Sequence, residues 1–151
     1  LEVAIEIPKW SHLKRGSDGR LDFISPLPCP YNYGSVPDLL GMEGDLLDAL
    51  VLGPRLPRGS RVRVRAYGAV GLDDRGLYDD KLICAAHRPS RLELRRVIGF
   101  LRIYGLAKGL LNRLRGQAGP TGSRGWCSAA EALARARPVP PGRPVAPVVR
   151  F

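Results

Sequence analysis

Soft-metal ligands are few and scattered: two histidines, His12 and His87, and three cysteines, Cys29, Cys84 and Cys127. With no Cys-x-x-Cys pair, no His cluster and an odd cysteine count, the chain offers neither a structural zinc nor a disulfide framework. Unpaired thiols suit a reducing, cytoplasmic compartment. Apolar runs are also short. None approaches the ~20 residues of a membrane-spanning helix, so no membrane partner is expected. The opening "LEVAIEIP" alternates like a strand and lacks a signal peptide's long apolar core. Absent too are a Gly-x-Gly-x-x-Gly after a strand and a Walker Gly-Lys-Ser/Thr, which argues against dinucleotide binding and P-loop chemistry. Acidic residues are scarce in one half only. Residues 1–90 hold 12 Lys/Arg and 12 Asp/Glu, whereas residues 91–151 hold 12 basic and 2 acidic residues and carry the whole net charge of +10. Such a half attracts polyanions, nucleic acid among them, or is simply a solvated arginine-rich helix face with a basic tail.

What is present is patterned. Leu1, Val3, Ile5 and Ile7 alternate with Glu2 and Glu6, and Val62, Val64 and Ala66 alternate with Arg61, Arg63 and Arg65, the period of half-buried strands. "ALVLG" and "KLICAA" are shorter apolar runs, and Gly- and Pro-rich turns separate the segments. The period then changes. Ser90-Arg-Leu-Glu93 is a capping box, followed by Val97, Phe100, Leu101, Tyr104, Ala107, Leu111 and Leu114 at helical spacing. A second box, Ser128-Ala-Ala-Glu131, opens a short helix that Pro138 ends. Strands first and helices afterwards predict an α+β domain, with the short strands forming a small barrel. Residues 138–151, "PVPPGRPVAPVVRF", have no periodicity and are expected to be a disordered or extended basic tail.

The chemistry-bearing residues cluster. Glu43-Gly-Asp45-Leu-Leu-Asp48 sets three carboxylates around a glycine that permits a sharp bend. Asp73, Asp74, Asp79 and Asp80 bracket a second turn, followed at once by Lys81. Oxygen ligands without His or Cys favour hard cations, Mg²⁺ or Mn²⁺. Each group taken alone also reads as a surface turn, since Asp and Gly are common turn residues.

Taken together the motifs are more specific. "IEIP", "NYG" at Asn32 to Gly34, "EGDLLDALV", "DDRGLYDDKL", "FLRIYG" and Gly125-Trp126, in that order, resemble the soluble family I inorganic pyrophosphatases over roughly residues 3–137. The resemblance implies a small closed five-stranded, OB-like β-barrel with two flanking C-terminal helices over residues 1–137. It also implies hydrolysis of diphosphate to two orthophosphates with Mg²⁺, or Mn²⁺ or another divalent cation, as cofactor. By the same resemblance Asp45 is the general base, and Glu43, Asp48, Asp74 and Asp79 hold metal. Lys14, Tyr33, Lys81 and Tyr104 contact substrate, and Glu6 supports the metal and lysine network. A homo-oligomer, hexameric in bacterial relatives, is implied as well. The family's Asp-Gly-Asp-Pro-x-Asp reads here with Glu43 first. Gly105 stands where the family has lysine, Arg75 where it has glutamate, and the stretch after Lys14 is shortened, without the family's substrate arginine. The alternative reading is a non-catalytic descendant that binds metal or a polyanion such as nucleic acid.

Overall fold

Alternation places apolar side chains on one or both faces of an extended chain, and the computed structural model forms strands where that pattern occurs. It describes residues 1–11, 13–15, 21–24, 28–74, 76–114, 116 and 119–142, without the side chains of 13–15, 21–24, 74 and 111. The elements are β1 (Glu2–Ile7), β2 (Leu13–Arg15), β3 (Leu21–Ile24), β4 (Asn32–Leu40), β5 (Leu46–Val51), β6 (Arg61–Arg63), β7 (Arg65–Asp74), β8 (Leu77–Ala85), α1 (Arg91–Leu114), β9 (Gly122–Cys127), α2 (Ala129–Arg135) and β10 (Arg137–Pro138).

One mixed sheet carries the fold, in the order β6-β1-β4-β5-β8-β7-β9, with β10 added beside β4 and a separate β2-β3 hairpin. Pairing is antiparallel except between β5 and β8, which run parallel. The expectation of a barrel closed by hydrogen bonds needs correction. Among the described residues the bonded path is open, because its end strands β6 and β9 do not pair. The curl is completed by the chain instead. Strand β6 pairs with β1, and after the single residue Val64 the backbone continues as β7, which pairs with β8. The Val64 N–H donates to the Leu1 carbonyl at 3.0 Å, so one bent segment links both sides of the curl.

Residue parity divides the apolar side chains between two cores. Ala49, Val51, Leu82 and Cys84 face a cluster with Val3 and Ile5, plugged by Ala132 of α2. Their neighbours Leu50, Leu52, Ile83 and Ala85 face the other way, against Val97 and Leu101 of α1. Fully burying a side chain such as Ile83 contributes about 1.5–3 kcal/mol, so each core anchors its helix.

Both capping boxes form. Ser90 Oγ accepts from the Glu93 N–H at 3.2 Å while Glu93 Oε2 accepts from the Ser90 N–H at 2.8 Å, and Ser128 and Glu131 do the same for α2. The apolar stripe of α1 is wider than its buried face. Ala107 and Leu114 are exposed, together with Ile103, Leu106 and Leu110. The proline-rich segment begins as paired strand: β10 lies against Leu39 and Leu40, and the Val139 N–H donates to the Asp38 carbonyl at 3.0 Å. Residues 143–151 of the expected tail lie outside the described residues.

Candidate active site

Parity explains how two adjacent aspartates acquire different surroundings. On β8, Asp79 and Lys81 share the face of Ile83, towards α1, whereas Asp80 shares the face of Leu82, towards α2. The parallel register then sets Asp48 of β5 directly beside Lys81, and the antiparallel register sets Ser35 of β4 beside Asp48. Ser35 Oγ donates to Glu6 Oε1 of β1 at 2.6 Å. Glu6, Ser35, Asp48 and Lys81 thus form a polar row across four strands, on the face that carries α1.

Lys81 is the hub of this row. Its Nζ donates to Asp48 Oδ2, forms an ion pair with Asp79 Oδ2 at 2.5 Å, donates to Tyr33 Oη at 3.1 Å, and sits 5.5 Å from the Tyr33 ring centre. Tyr33 Oη in turn donates to Asp48 Oδ2. Burial alone would depress the Lys81 ammonium, but Asp48, then Tyr33 and Asp79, outweigh it and hold the pKa well above the ordinary lysine value. Burial and the Asp48 charge push the Tyr33 phenol well above its usual range. The tyrosine therefore stays a donor, and the lysine stays charged.

Glu43 approaches from the β4–β5 turn. The Gly41 N–H donates to the Asp45 carbonyl at 2.8 Å, and Gly44, at φ 91°, makes a bend that a side-chain-bearing residue resists. The Glu43 carboxylate folds back over Gly41, where a Cβ would come within 2.6 Å of Oε2. Burial, then the Asp79 charge, push Glu43 up to about 7, with Lys81 opposing. Asp79 is also raised, by burial first, against the pull of Lys81. Glu43 Oε2 and Asp79 Oδ1 are both buried and without a hydrogen-bond partner. Buried carboxylate oxygens left unpaired are costly. Two of them, with the Asp79 charge raising Glu43 and the Asp48 charge raising Asp79, make a position short of positive charge.

The other expected site residues are distributed as follows. Asp45 is exposed on the same turn as Glu43. Asp74 ends β7 opposite Leu77, and Lys14 pairs with Phe23 in the β2-β3 hairpin; both side chains lie outside the described residues. Tyr104 stacks on Phe100 at 6.2 Å and packs, like Tyr33, against the α1-facing core. Among the described residues no three His, Cys, Asp or Glu side chains converge as a ready metal cage; the Lys81 ammonium bridges Asp48 and Asp79.

Sequence reasoning did not single out Ser35, whose place in the polar row follows only from strand register. It also missed the clamp on the opposite face. Arg135 of α2 donates from Nε and Nη2 to the two carboxylate oxygens of buried Asp80, at 2.8 and 2.9 Å, beside Tyr78 and Cys127. A second omission is Lys108 of α1, whose charge acts on Asp79.

Residues 3–102 match the family model described as inorganic pyrophosphatase. The chain is 37% identical over 95 residues to the inorganic pyrophosphatase of Gluconobacter oxydans and 40% identical over 101 residues to that of Streptomyces coelicolor. These matches cover 58% and 61% of this chain, and they span 55% and 61% of those relatives' length. Among solved structures, an inorganic pyrophosphatase from Helicobacter pylori superposes with a TM-score of 0.71 at 26% identity, covering 89% of this chain and 88% of that one. One from Coxiella burnetii gives 0.66 at 30% identity, covering 88% of each chain.

Proposed function

The chain belongs to the inorganic pyrophosphatase family, and from that premise we propose that it hydrolyses inorganic diphosphate to two orthophosphates with a divalent cation. One observation carries the reading: buried, partnerless carboxylate oxygens on Glu43 and Asp79 beside a tyrosine and a charged lysine. Anion donors and cation ligands side by side are what a metal-neutralised phosphoanhydride requires.

Glu43, Asp48 and Asp79, with Asp74, are the residues that would hold the cation. Mg²⁺ suits them first, since it keeps several waters and needs only one or two carboxylates at a site; Mn²⁺ is the second choice. When bound, the cation supplies charge neutralisation of phosphate oxygens and a bound water of lowered pKa. The protein's own groups do the rest. Lys81 and Tyr33, locked to each other and to Asp48, offer donors that do not reorient as charge develops on phosphate, which is electrostatic preorganisation. Tyr104 and Lys14 add substrate contacts. Asp45, exposed on the turn beside Glu43, takes the proton of the attacking water and can pass it to solvent. Glu6 steadies the row through Ser35.

Two attributes accompany the activity. A homo-oligomer is supported by the exposed stripe Ile103, Leu106, Leu110 and Leu114 on α1, each more than 60% accessible; Leu110→Glu should then reduce the sedimenting mass, and an unchanged monomer in both proteins would remove this part. A cytoplasmic location is supported by the free thiols Cys29, Cys84 and Cys127. No helix among the described residues is long and apolar enough to cross a membrane.

The test of the activity is phosphate release from diphosphate. Release should require Mg²⁺ or Mn²⁺ and fall by about 10²–10⁴-fold in Asp45→Asn, the range for a lost general base. No release above a metal-only blank ends the catalytic reading and leaves the polyanion-binding alternative.

A further inference from the structure

We propose that Lys108 is a substrate-contacting residue of this site, supplying from α1 a second ammonium to the phosphate oxygens of diphosphate. The inference rests on the diphosphatase reading above and deepens it.

Three features of α1 lead to this residue. First, the rotation of the helix is fixed by close packing on β9. An added Cβ at Gly105 would meet Gly122 and Ser123 backbone atoms at 3.4 Å, and one at Gly109 would meet the Thr121 carbonyl oxygen at 3.1 Å. Buried Asn112 continues the seam, its Nδ2 donating to Thr121 Oγ1 at 3.2 Å. Position 105 is therefore turned towards β9 at ordinary contact distance, and position 109 is the tighter of the two, where a Cβ would press on the Thr121 carbonyl. Second, residues 100, 104 and 108 recur every four positions and so share a face. On that face Phe100 and Tyr104 stack and pack against the core from which Leu50 and Ile83 lead along their strands to Asp48 and Lys81. Third, Lys108 is half-buried and its charge acts on Asp79. This face thus runs along the core that leads to Asp48 and Lys81, and Lys108 lies on it one turn beyond Tyr104, close enough for its charge to act on Asp79.

The charge balance shows what a second cation is for. Glu43, Asp48 and Asp79 bring three carboxylates to the cluster, and Lys81 is committed to two of them and to Tyr33. A diphosphate arriving there carries further negative charge. An ammonium on a flexible four-carbon stem, near enough for its charge to act on Asp79, can reach a phosphate oxygen when the anion enters. Charge-assisted contacts of this kind are stronger than neutral hydrogen bonds.

The experiment compares wild type, Lys108→Met, Lys108→Arg and, as a control on α1, Arg102→Met, which is solvent-exposed. Steady-state phosphate release with saturating Mg²⁺ is measured beside calorimetric binding of methylenediphosphonate with Mg²⁺, a non-hydrolysable diphosphate. Lys108→Met should lose about 10- to 100-fold in kcat/KM and in affinity for the analogue, the span of one charge-assisted hydrogen bond. Most of the arginine variant's activity should be retained, Arg102→Met should match wild type, and unfolding midpoints should be alike. If wild type hydrolyses diphosphate and Lys108→Met matches it in both readouts, the inference fails while the diphosphatase reading stands. It fails equally if Lys108→Met only tightens Mn²⁺ binding, for then the lysine merely offsets Asp79. Wild type that neither hydrolyses diphosphate nor binds the analogue overturns both.

Discussion

Replacing Lys81 by methionine removes an ammonium that touches both Asp48 and Asp79 while keeping a chain of similar length to fill its space. The three side chains are 8%, 19% and 12% exposed, so water replaces the lost charge poorly. Breaking a buried ion pair by deleting one partner costs about 3–5 kcal/mol, mostly through the charge left behind. For a chain of this size each kcal/mol moves the melting midpoint by about 2–4 °C, giving an expected drop of about 6–20 °C. The drop has a signature in pH. Without the lysine, Asp79 loses the charge that opposes its burial and the neighbouring Asp48 charge, and is raised further above its unfolded value. Acids raised in this way contribute stability at low pH and lose it as pH rises through the folded pKa. The deficit should therefore be smaller at pH 5 than at pH 8. Mg²⁺ should also restore more stability to the variant than to wild type, about 2.7 kcal/mol at a hundredfold excess over Kd. Circular-dichroism melts at the two pH values, in chelator and then in Mg²⁺, check all of this. A midpoint within 1 °C of wild type, or a deficit indifferent to both pH and Mg²⁺, would refute the idea that Lys81 neutralises a cation site.

Two other perturbations follow from the same geometry. Glu43 is raised from 4.5 to about 7, so its contribution is present below 4.5 and lost as pH rises through 7; the full linkage of about 3 kcal/mol shrinks to about 1 after screening at this half-exposed site. In chelator, Glu43→Gln should then gain about 1 kcal/mol over wild type at pH 8 and none at pH 4, and urea titrations that show equal stability differences at both pH values would contradict the assignment. On the opposite face, Arg135→Met orphans buried Asp80 and should cost about 3–5 kcal/mol, whereas the double variant Asp80→Leu, Arg135→Met should cost less. Urea unfolding that finds the double variant worse than the single one would deny that the orphaned charge is the cause.

Local patterns in the sequence translated directly into structure. The strand at Val3 to Ile7, the boxes at Ser90 and Ser128, and the glycine bend at Gly44 each depend on interactions spanning a few residues, and each forms, although Leu1, expected to face inward with Val3, is exposed outside the strand. Long-range register is another matter. That Asp48 lies beside Lys81 depends on β5 and β8 pairing in parallel across an intervening stretch that contains β6 and β7. The pairing has no local signal in either strand. Asp79 and Asp80 are indistinguishable as a dipeptide, yet parity gives one to the site and the other to Arg135. On α1 the helical period was legible, and so was the inward face from Val97 to Tyr104, but not its end, where Ala107 and Leu114 are exposed. Gly109 allows close approach to Thr121 beside β9, and Leu106, Leu110 and Leu114 are left in solvent. The open end of the barrel was hidden for a similar reason. A single residue, Val64, carries the chain from one strand pairing to the next, so closure rests on continuity of the backbone and not on a final hydrogen-bonded ladder.

The physical claim beneath these readings is that Glu43, Asp48 and Asp79 form one divalent-cation site. Titration of the protein with Mn²⁺ in the absence of substrate, with free ion counted by electron paramagnetic resonance, measures it directly. Wild type should bind Mn²⁺, and Asp79→Asn should bind it at least about tenfold more weakly, a loss of about 1.4 kcal/mol. Equal affinity in the two proteins, or no binding by wild type, would contradict the claim.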